Sequence, residues 1–154
     1  MATIATLNRS DQIDYVSERL PSAAGLLARL LVRQLGGELS RTEVGLLNTL
    51  SDGPQRITEL AEREGLAQPT MTSLVKQLEQ QRLVRRDRQA DDGRVVLVHL
   101  TDTGAAALED YRARVRELLG SYLAEIPDEQ VEELAGATEA LAQLVALLQQ
   151  RHAR

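Results

Sequence analysis

Positive charge concentrates in one short stretch, RRDRQADDGR, which occupies residues 85–94. At its centre Asp92 and Gly93 are typical of a tight turn, and Arg94 follows directly. A guanidinium group at such a tip could enter a narrow minor groove of duplex DNA, with Asp92 holding the hairpin in shape. The alternative is a solvated hairpin whose Asp and Arg side chains pair at the surface, which contributes little energy. These residue types leave both interpretations open.

Other chemistry is poorly supported. The chain has no cysteine and two histidines, His99 and His152, so thiol chemistry is absent and a transition-metal site is not expected. Without a Ser-His-Asp or metal-ligand spacing, we expect no enzyme and no cofactor. The amino terminus lacks the pattern of a signal peptide, and the longest apolar run, residues 23–32, is interrupted by Arg29 and is too short for a membrane span. We therefore expect a cytoplasmic protein without a membrane partner.

The net charge of -5 conceals an uneven distribution. Residues 1–101 carry equal numbers of basic and acidic side chains, whereas residues 102–154 carry five basic and ten acidic ones. The sequence pI of about 5.1 therefore says little about the field around residues 76–94.

The elements that must position this stretch are mostly helical. Apolar residues recur with the helical period from about residue 11 to residue 35, where Pro21 leaves open a division into two helices and a Gly-Gly pair ends the run. The sequence SRTE, residues 40–43, is a capping box that starts a second helix. With only 2% aromatic residues, the core must be built from aliphatic side chains.

The central region predicts a helix-turn-helix followed by a wing. A brief helix that Gly65 would stop precedes a helix with Pro69 in its first turn, and two β-rich runs joined by QADDG form a hairpin. In the second helix the helical period places four apolar residues, Met71, Leu74, Val75 and Leu78, on one face. The opposite, hydrogen-bond-rich face suits the reading of base edges, although any amphipathic helix has a polar outer face. Glu79 is the only acid between residues 68 and 81, which favours the nucleic-acid interpretation.

Two further helices with apolar stripes are predicted, the first following the TDTG segment at residues 101–104 and the second following Pro127. A monomer could not cover these stripes together with that of the first helix, so we expect an isologous two-fold dimer. The predicted fold is mainly α with a small β-wing, a winged helix-turn-helix flanked by N- and C-terminal dimerisation helices. We expect residues 1–39 to form the N-terminal dimerisation region, 40–101 the DNA-binding domain and 102–154 the C-terminal dimerisation helices.

Residues 57–104 closely resemble the winged helix-turn-helix of the MarR family of bacterial transcription regulators. The matching motifs are L-V-x-x-L-E at 74–79, L-V-R-R at 83–86, D-D-G-R at 91–94 and L-T-x-x-G at 100–104. The resemblance implies a homodimer that binds a pseudo-palindromic operator in double-stranded DNA. It also implies a repressor that a small-molecule effector, often a phenolic or other aromatic acid, releases.

The resemblance also assigns the wing. The family's wing arginine matches Arg94 and enters the minor groove, and its wing aspartate matches Asp92. Two departures stand out: relatives often begin the recognition helix with a serine cap where this chain has Ala67 and Gln68, and the absence of cysteine excludes oxidant sensing through a thiol. No effector-binding residue can be matched. The predicted DNA contacts are Gln68, Thr70, Thr72, Ser73, Lys76, Gln77, Arg86, Arg88 and Arg94.

The alternative hypothesis is a winged-helix protein-interaction module that does not bind DNA. The modest excess of basic residues around the predicted recognition helix and hairpin keeps this alternative open. The salt dependence of duplex binding distinguishes the two, because phosphate contacts release counterions.

Overall fold

The computed structural model describes residues 7–37, 39–88 and 96–152, with only the backbone described at 88, 151 and 152. The chain divides into two compact units, Met1–Val115 and Arg116–Arg154. No helix in the described ranges combines the length and the apolar character needed to cross a membrane. In chain order the elements are α1 (Arg9–Leu35), α2 (Arg41–Ser51), β1 (Gln55–Arg56), α3 (Ile57–Arg63), α4 (Gln68–Gln80), β2 (Val84–Arg88), β3 (Val96–Leu100), α5 (Asp102–Leu123) and α6 (Asp128–His152).

Helix α1 is continuous through Pro21, so the proline does not split it. The Asn8 side chain caps its start by accepting from the Asp11 N–H at 3.0 Å, and Gly36 ends it in the left-handed conformation, with φ 54°. No described residue of α1 is buried. The apolar face predicted from the sequence is therefore exposed to solvent along much of the helix.

The capping box predicted for α2 is confirmed. The Glu43 N–H donates to Ser40 Oγ at 3.3 Å, and the Ser40 N–H donates to Glu43 Oε2 at 2.6 Å. The side chain of Glu43 does more than cap, because the residue is only 4% exposed and lies among the core leucines of α2.

Helices α3 and α4 end with the same backbone arrangement. After α3 the Leu66 N–H donates to the Ala61 carbonyl at 2.9 Å, and after α4 the Leu83 N–H donates to the Leu78 carbonyl at 2.9 Å. Each of these helix ends requires one residue in the left-handed backbone conformation. At the first this residue is Gly65 as predicted, but at the second it is Arg82, with φ 63°.

The three strands form an antiparallel sheet in the order β1-β3-β2. Val84 pairs with Leu100 and Arg88 with Val96, which confirms the two predicted strands of the hairpin. The predicted tip, including Asp92 and Arg94, lies outside the described residues. One face of the sheet packs into a core that α2, α3, α4 and the start of α5 share. The largest fully buried side chains of that core are Leu46, Leu47, Leu60, Met71, Val75, Leu78, Val84, Val98 and Leu108.

Helix α5 begins earlier than the sequence analysis placed it, at Asp102 and not after the TDTG segment. Thr101 is its cap: Oγ1 accepts from the Gly104 N–H at 3.0 Å, and the Thr101 N–H donates to the Leu83 carbonyl at 3.1 Å. A Cβ added to Gly104 would lie 2.0 Å from that same carbonyl oxygen. The motif L-T-x-x-G therefore holds the start of α5 against the turn between α4 and β2.

The second unit contains the rest of α5 and helix α6. Most of α6 is exposed. Its exposed large apolar side chains are Leu134, Leu141, Leu144, Val145, Leu147 and Leu148.

Candidate nucleic-acid interface

Helix α4 has the two faces that its sequence predicts. Met71, Val75 and Leu78 are fully buried, and Leu74 packs partly buried against the same core. These contacts fix the rotation of the helix about its axis. The opposite face is consequently held toward solvent, and the exposed side chains on it include Gln68, Thr70, Thr72, Ser73, Lys76, Gln77 and Gln80.

Two hydroxyls on the exposed face of α4 are bonded to the helix itself. Thr72 Oγ1 donates to the Gln68 carbonyl at 2.9 Å, and Ser73 Oγ donates to the Pro69 carbonyl at 3.1 Å. Because each hydroxyl proton is directed inward, the oxygen lone pairs are the groups presented outward. In this state both side chains offer acceptors to a ligand.

The first turn of α4 favours an anion. Ala67 occupies the N-cap position and has no side-chain cap bond, and no acidic residue lies in this turn. The first intrahelical bond runs from the Met71 N–H to the Ala67 carbonyl at 3.1 Å. The earlier N–H groups of Gln68 and Thr70 therefore have no partner within the helix, which suits contact with a phosphate.

The single acid of α4 is neutralised by the wing. Arg86 in β2 donates to Glu79 Oε2 from Nε at 2.9 Å and from Nη2 at 2.5 Å, and its backbone N–H donates to Oε1 at 3.2 Å. The hydrogen bonds from Arg86 lower the pKa of Glu79, and the carboxylate in turn raises the pKa of Arg86. The pair braces β2 against α4, and part of the Arg86 donor set is thereby occupied.

A second polar link connects α4 to α2. Gln77 Nε2 donates to Glu43 Oε1 at 3.0 Å. Gln77 was predicted only as a DNA contact, and no sequence pattern indicates this bond because the two residues are 34 positions apart. The capping box did identify Glu43, although only in its local role.

The solvent face of the sheet carries a small charged group. Arg85 is paired with Asp87, and His99 Nε2 lies 3.4 Å from Asp87 Oδ2. Burial, followed by the positive charge of Arg85, lowers the pKa of His99.

Arg88 ends β2, while Arg94 and Asp92 lie outside the described residues. The described residues contain no group of three or more His, Asp or Glu side chains that could hold a metal ion.

A short helix, a glycine turn, an amphipathic second helix and a two-stranded hairpin define a winged helix-turn-helix protein. The MarR family model matches residues 39–96. An uncharacterized HTH-type transcriptional regulator of Mycobacterium bovis is 30% identical over 133 residues, which cover 82% of this chain and 93% of that protein. The chain belongs to the MarR family.

The HTH-type transcriptional repressor MdtR of Bacillus subtilis is 31% identical over 91 residues, and the alignment covers 59% of this chain. The chain thus spans only 59% of the length of MdtR in that match. Both of these relatives are named as HTH-type transcription regulators.

Solved structures share the fold. A MarR family protein from Bacillus stearothermophilus has a TM-score of 0.70 at 22% identity, covering 91% of this chain and 99% of that one. A MepR variant from S. aureus, solved bound to an oligodeoxyribonucleotide, has a TM-score of 0.57 at 22% identity, covering 85% of this chain and 96% of that one. At these identities the likeness concerns the fold.

Proposed function

We propose that this chain is a homodimeric, sequence-specific DNA-binding regulator that represses transcription until a small molecule releases it. Helix α4 enters the major groove, and the hairpin of β2 and β3 reaches the backbone or the adjacent minor groove. The observation that carries the proposal is the exposed polar face of α4, whose only acid, Glu79, is neutralised by Arg86. Such a surface presents hydrogen-bonding groups to base edges without repelling the phosphates.

The proposed contacts divide by chemistry. Gln68 and Thr70 lie at the uncapped start of α4, where backbone N–H groups suit a phosphate. Arg86 uses Nε and Nη2 on Glu79, so its remaining N–H groups are the ones proposed to contact the backbone. The proposed base-edge contacts are Thr72, Ser73, Lys76 and Gln77, and the proposed wing contacts are Arg88 and Arg94, with Asp92 supporting the tip.

The proposed dimer is supported by exposed apolar surface in each unit. Leu26 and Leu27 of α1 are each 48% exposed, and Leu147 of α6 is 58% exposed. Soluble monomers rarely expose contiguous apolar patches of this kind. Sedimentation velocity at micromolar concentration should give a dimer mass, and a monomer over the whole accessible concentration range would contradict this part of the proposal.

Repression and release by an effector rest on the family. MdtR is described as a transcriptional repressor, and the motifs of the wing and recognition helix resemble those of regulators that aromatic acids release. We expect an aromatic carboxylic acid, for example benzoate, to raise the thermal unfolding temperature and to weaken operator binding. If it does neither at millimolar concentration, this effector class is excluded.

The decisive experiment measures the affinity for duplex DNA as a function of salt concentration. Fluorescence anisotropy with fragments from the region upstream of the chain's own gene should give one tight site, whose log affinity falls linearly with log salt by about 0.9 per phosphate contact. Footprinting should show two half-sites about 10 bp apart. A protein that binds no fragment even at low salt would refute the proposal.

A second candidate function is a protein-interaction module. It is favoured by the ion pairs Arg86–Glu79 and Arg85–Asp87, which leave less uncompensated positive charge than the count of arginines suggests. Binding to a protein ligand that persists at high salt, together with no duplex binding at low salt, would support this alternative.

A further inference from the structure

The carboxylate of Glu43 is almost completely buried, at 4% exposure, and both of its oxygens are engaged. Oε2 accepts from the Ser40 N–H at 2.6 Å, which completes the capping box of α2. Oε1 accepts from Nε2 of Gln77, a residue of α4, at 3.0 Å. A buried carboxylate needs both partners, because an unsatisfied one carries a large desolvation penalty.

The hydrogen bond to Glu43 determines the orientation of the Gln77 side-chain amide. Gln77 Nε2 is the donor and Glu43 Oε1 the acceptor in this contact, so the NH2 of Gln77, and not its carbonyl, faces Glu43. Oε1 of Gln77 and the second N–H of Nε2 are the groups not used in this contact. Gln77 itself is exposed, on the face of α4 that we place in the major groove.

We propose that Glu43 is a positioning residue for operator recognition, which holds the Gln77 amide so that its carbonyl and its second N–H meet an adenine. This inference rests on the proposed function. The carbonyl accepts from adenine N6 and the N–H donates to N7, which is the bidentate geometry by which glutamine selects adenine. An amide already fixed by Glu43 loses less side-chain freedom when it binds.

The test compares four proteins: wild type, Glu43→Gln, Gln77→Ala and the double variant. Glutamine is also accepted in a capping box, so Glu43→Gln should leave α2 intact. It can donate as well as accept, and the Gln77 amide is then no longer held in one orientation. The matched control is Glu59→Gln, because exposed Glu59 accepts from the Arg56 N–H at 2.9 Å at the same position of α3.

The readout is affinity for the operator and for duplexes with each base pair changed in turn. Wild type should discriminate about 5- to 150-fold at one A·T pair of each half-site. Gln77→Ala should abolish that preference, Glu43→Gln should reduce it at the same pair and at no other, and the double variant should match Gln77→Ala. Glu59→Gln should leave the whole profile unchanged.

A measurement without DNA tests the link separately. In the free protein the side-chain amide protons of Gln77 should exchange slowly with water by NMR, and Glu43→Gln should remove this protection. A uniform loss of affinity on every duplex in Glu43→Gln, or an unchanged base preference, would overturn the positioning role. Wild-type protein that binds no duplex would refute the proposed function, whereas an unprotected Gln77 amide would refute the positioning role alone.

Discussion

Replacing Gly104 by alanine should weaken the contact between the start of α5 and Leu83, in the turn between α4 and β2. The new Cβ would lie 2.0 Å from the Leu83 carbonyl oxygen and 2.8 Å from Leu100 Cδ1. Ordinary van der Waals contacts are about 3.5 Å, so the two backbones must separate by roughly 1 to 1.5 Å. Because the obstacle at Leu83 is backbone, a side-chain rotation cannot relieve the clash.

The expected loss follows from what that separation breaks. The Thr101 N–H donates to the Leu83 carbonyl at 3.1 Å, and Thr101 Oγ1 donates to the Arg82 carbonyl at 2.6 Å. Each bond contributes about 1 kcal/mol, and the strain of overpacking adds about 1–3 kcal/mol. The better helix propensity of alanine returns about 1 kcal/mol. The free energy of unfolding should therefore fall by about 2–4 kcal/mol.

Urea unfolding followed by circular dichroism, at one fixed protein concentration, measures this difference. Gly120→Ala is the matched control, because Gly120 lies in the same helix and a Cβ there meets no atom of the described chain within 4 Å. It should raise the free energy of unfolding by about 0.5–1 kcal/mol. If Gly104→Ala is as stable as wild type, the close approach of α5 to Leu83 is refuted.

Four further changes are expected to act in separable ways. Arg82→Gly relieves the left-handed backbone at φ 63° and should raise the urea midpoint, by about 1 kcal/mol in free energy; an unchanged midpoint would contradict the strain. Glu79→Gln breaks the pair with Arg86 and should lower stability at pH 7 by about 0.5 kcal/mol after allowance for solvent screening. The pKa of Glu79 is lowered in the fold, so this difference is present above its ordinary carboxyl pKa and should vanish as the pH falls through the folded value. Lys76→Ala should weaken operator binding more than binding to random duplex, whereas equal losses in anisotropy titrations would make Lys76 a phosphate contact. Arg94→Ala should weaken operator binding by about 1–3 kcal/mol without lowering the unfolding temperature, and an unchanged titration would remove the wing tip from the interface.

The features that the sequence predicted correctly are local ones. The capping box of Ser40 and Glu43, the turn at Gly65 and the buried face containing Met71 each depend on residues within about one or two helical turns. The Gly-Gly pair likewise ended α1 at the predicted place, although Pro21 did not divide the helix. Patterns of this length are visible without knowledge of the tertiary fold.

The features that the sequence did not reveal require a tertiary contact. Glu79 and Arg86 meet because the turn after α4 reverses the chain, and Gln77 meets Glu43 from another helix. Arg82 in the left-handed conformation could not be predicted either, since the capping pattern there normally calls for glycine. Composition alone could not show which charged groups were already paired.

This pairing changes the electrostatic argument for the recognition helix. The sequence analysis named Arg86 as a DNA contact and Glu79 as the single acid of residues 68–81, but in the fold the two charges are paired and largely cancel. Lys76 is then the one basic side chain within α4 itself, and the rest of the exposed face is neutral and polar. Since neutral hydrogen-bonding groups distinguish bases and cations mainly attract phosphates, α4 is suited to sequence discrimination. If the chain binds DNA as proposed, basic side chains outside α4 supply most of the nonspecific attraction to the phosphates. Specificity and salt-dependent affinity should therefore respond to different substitutions in this protein.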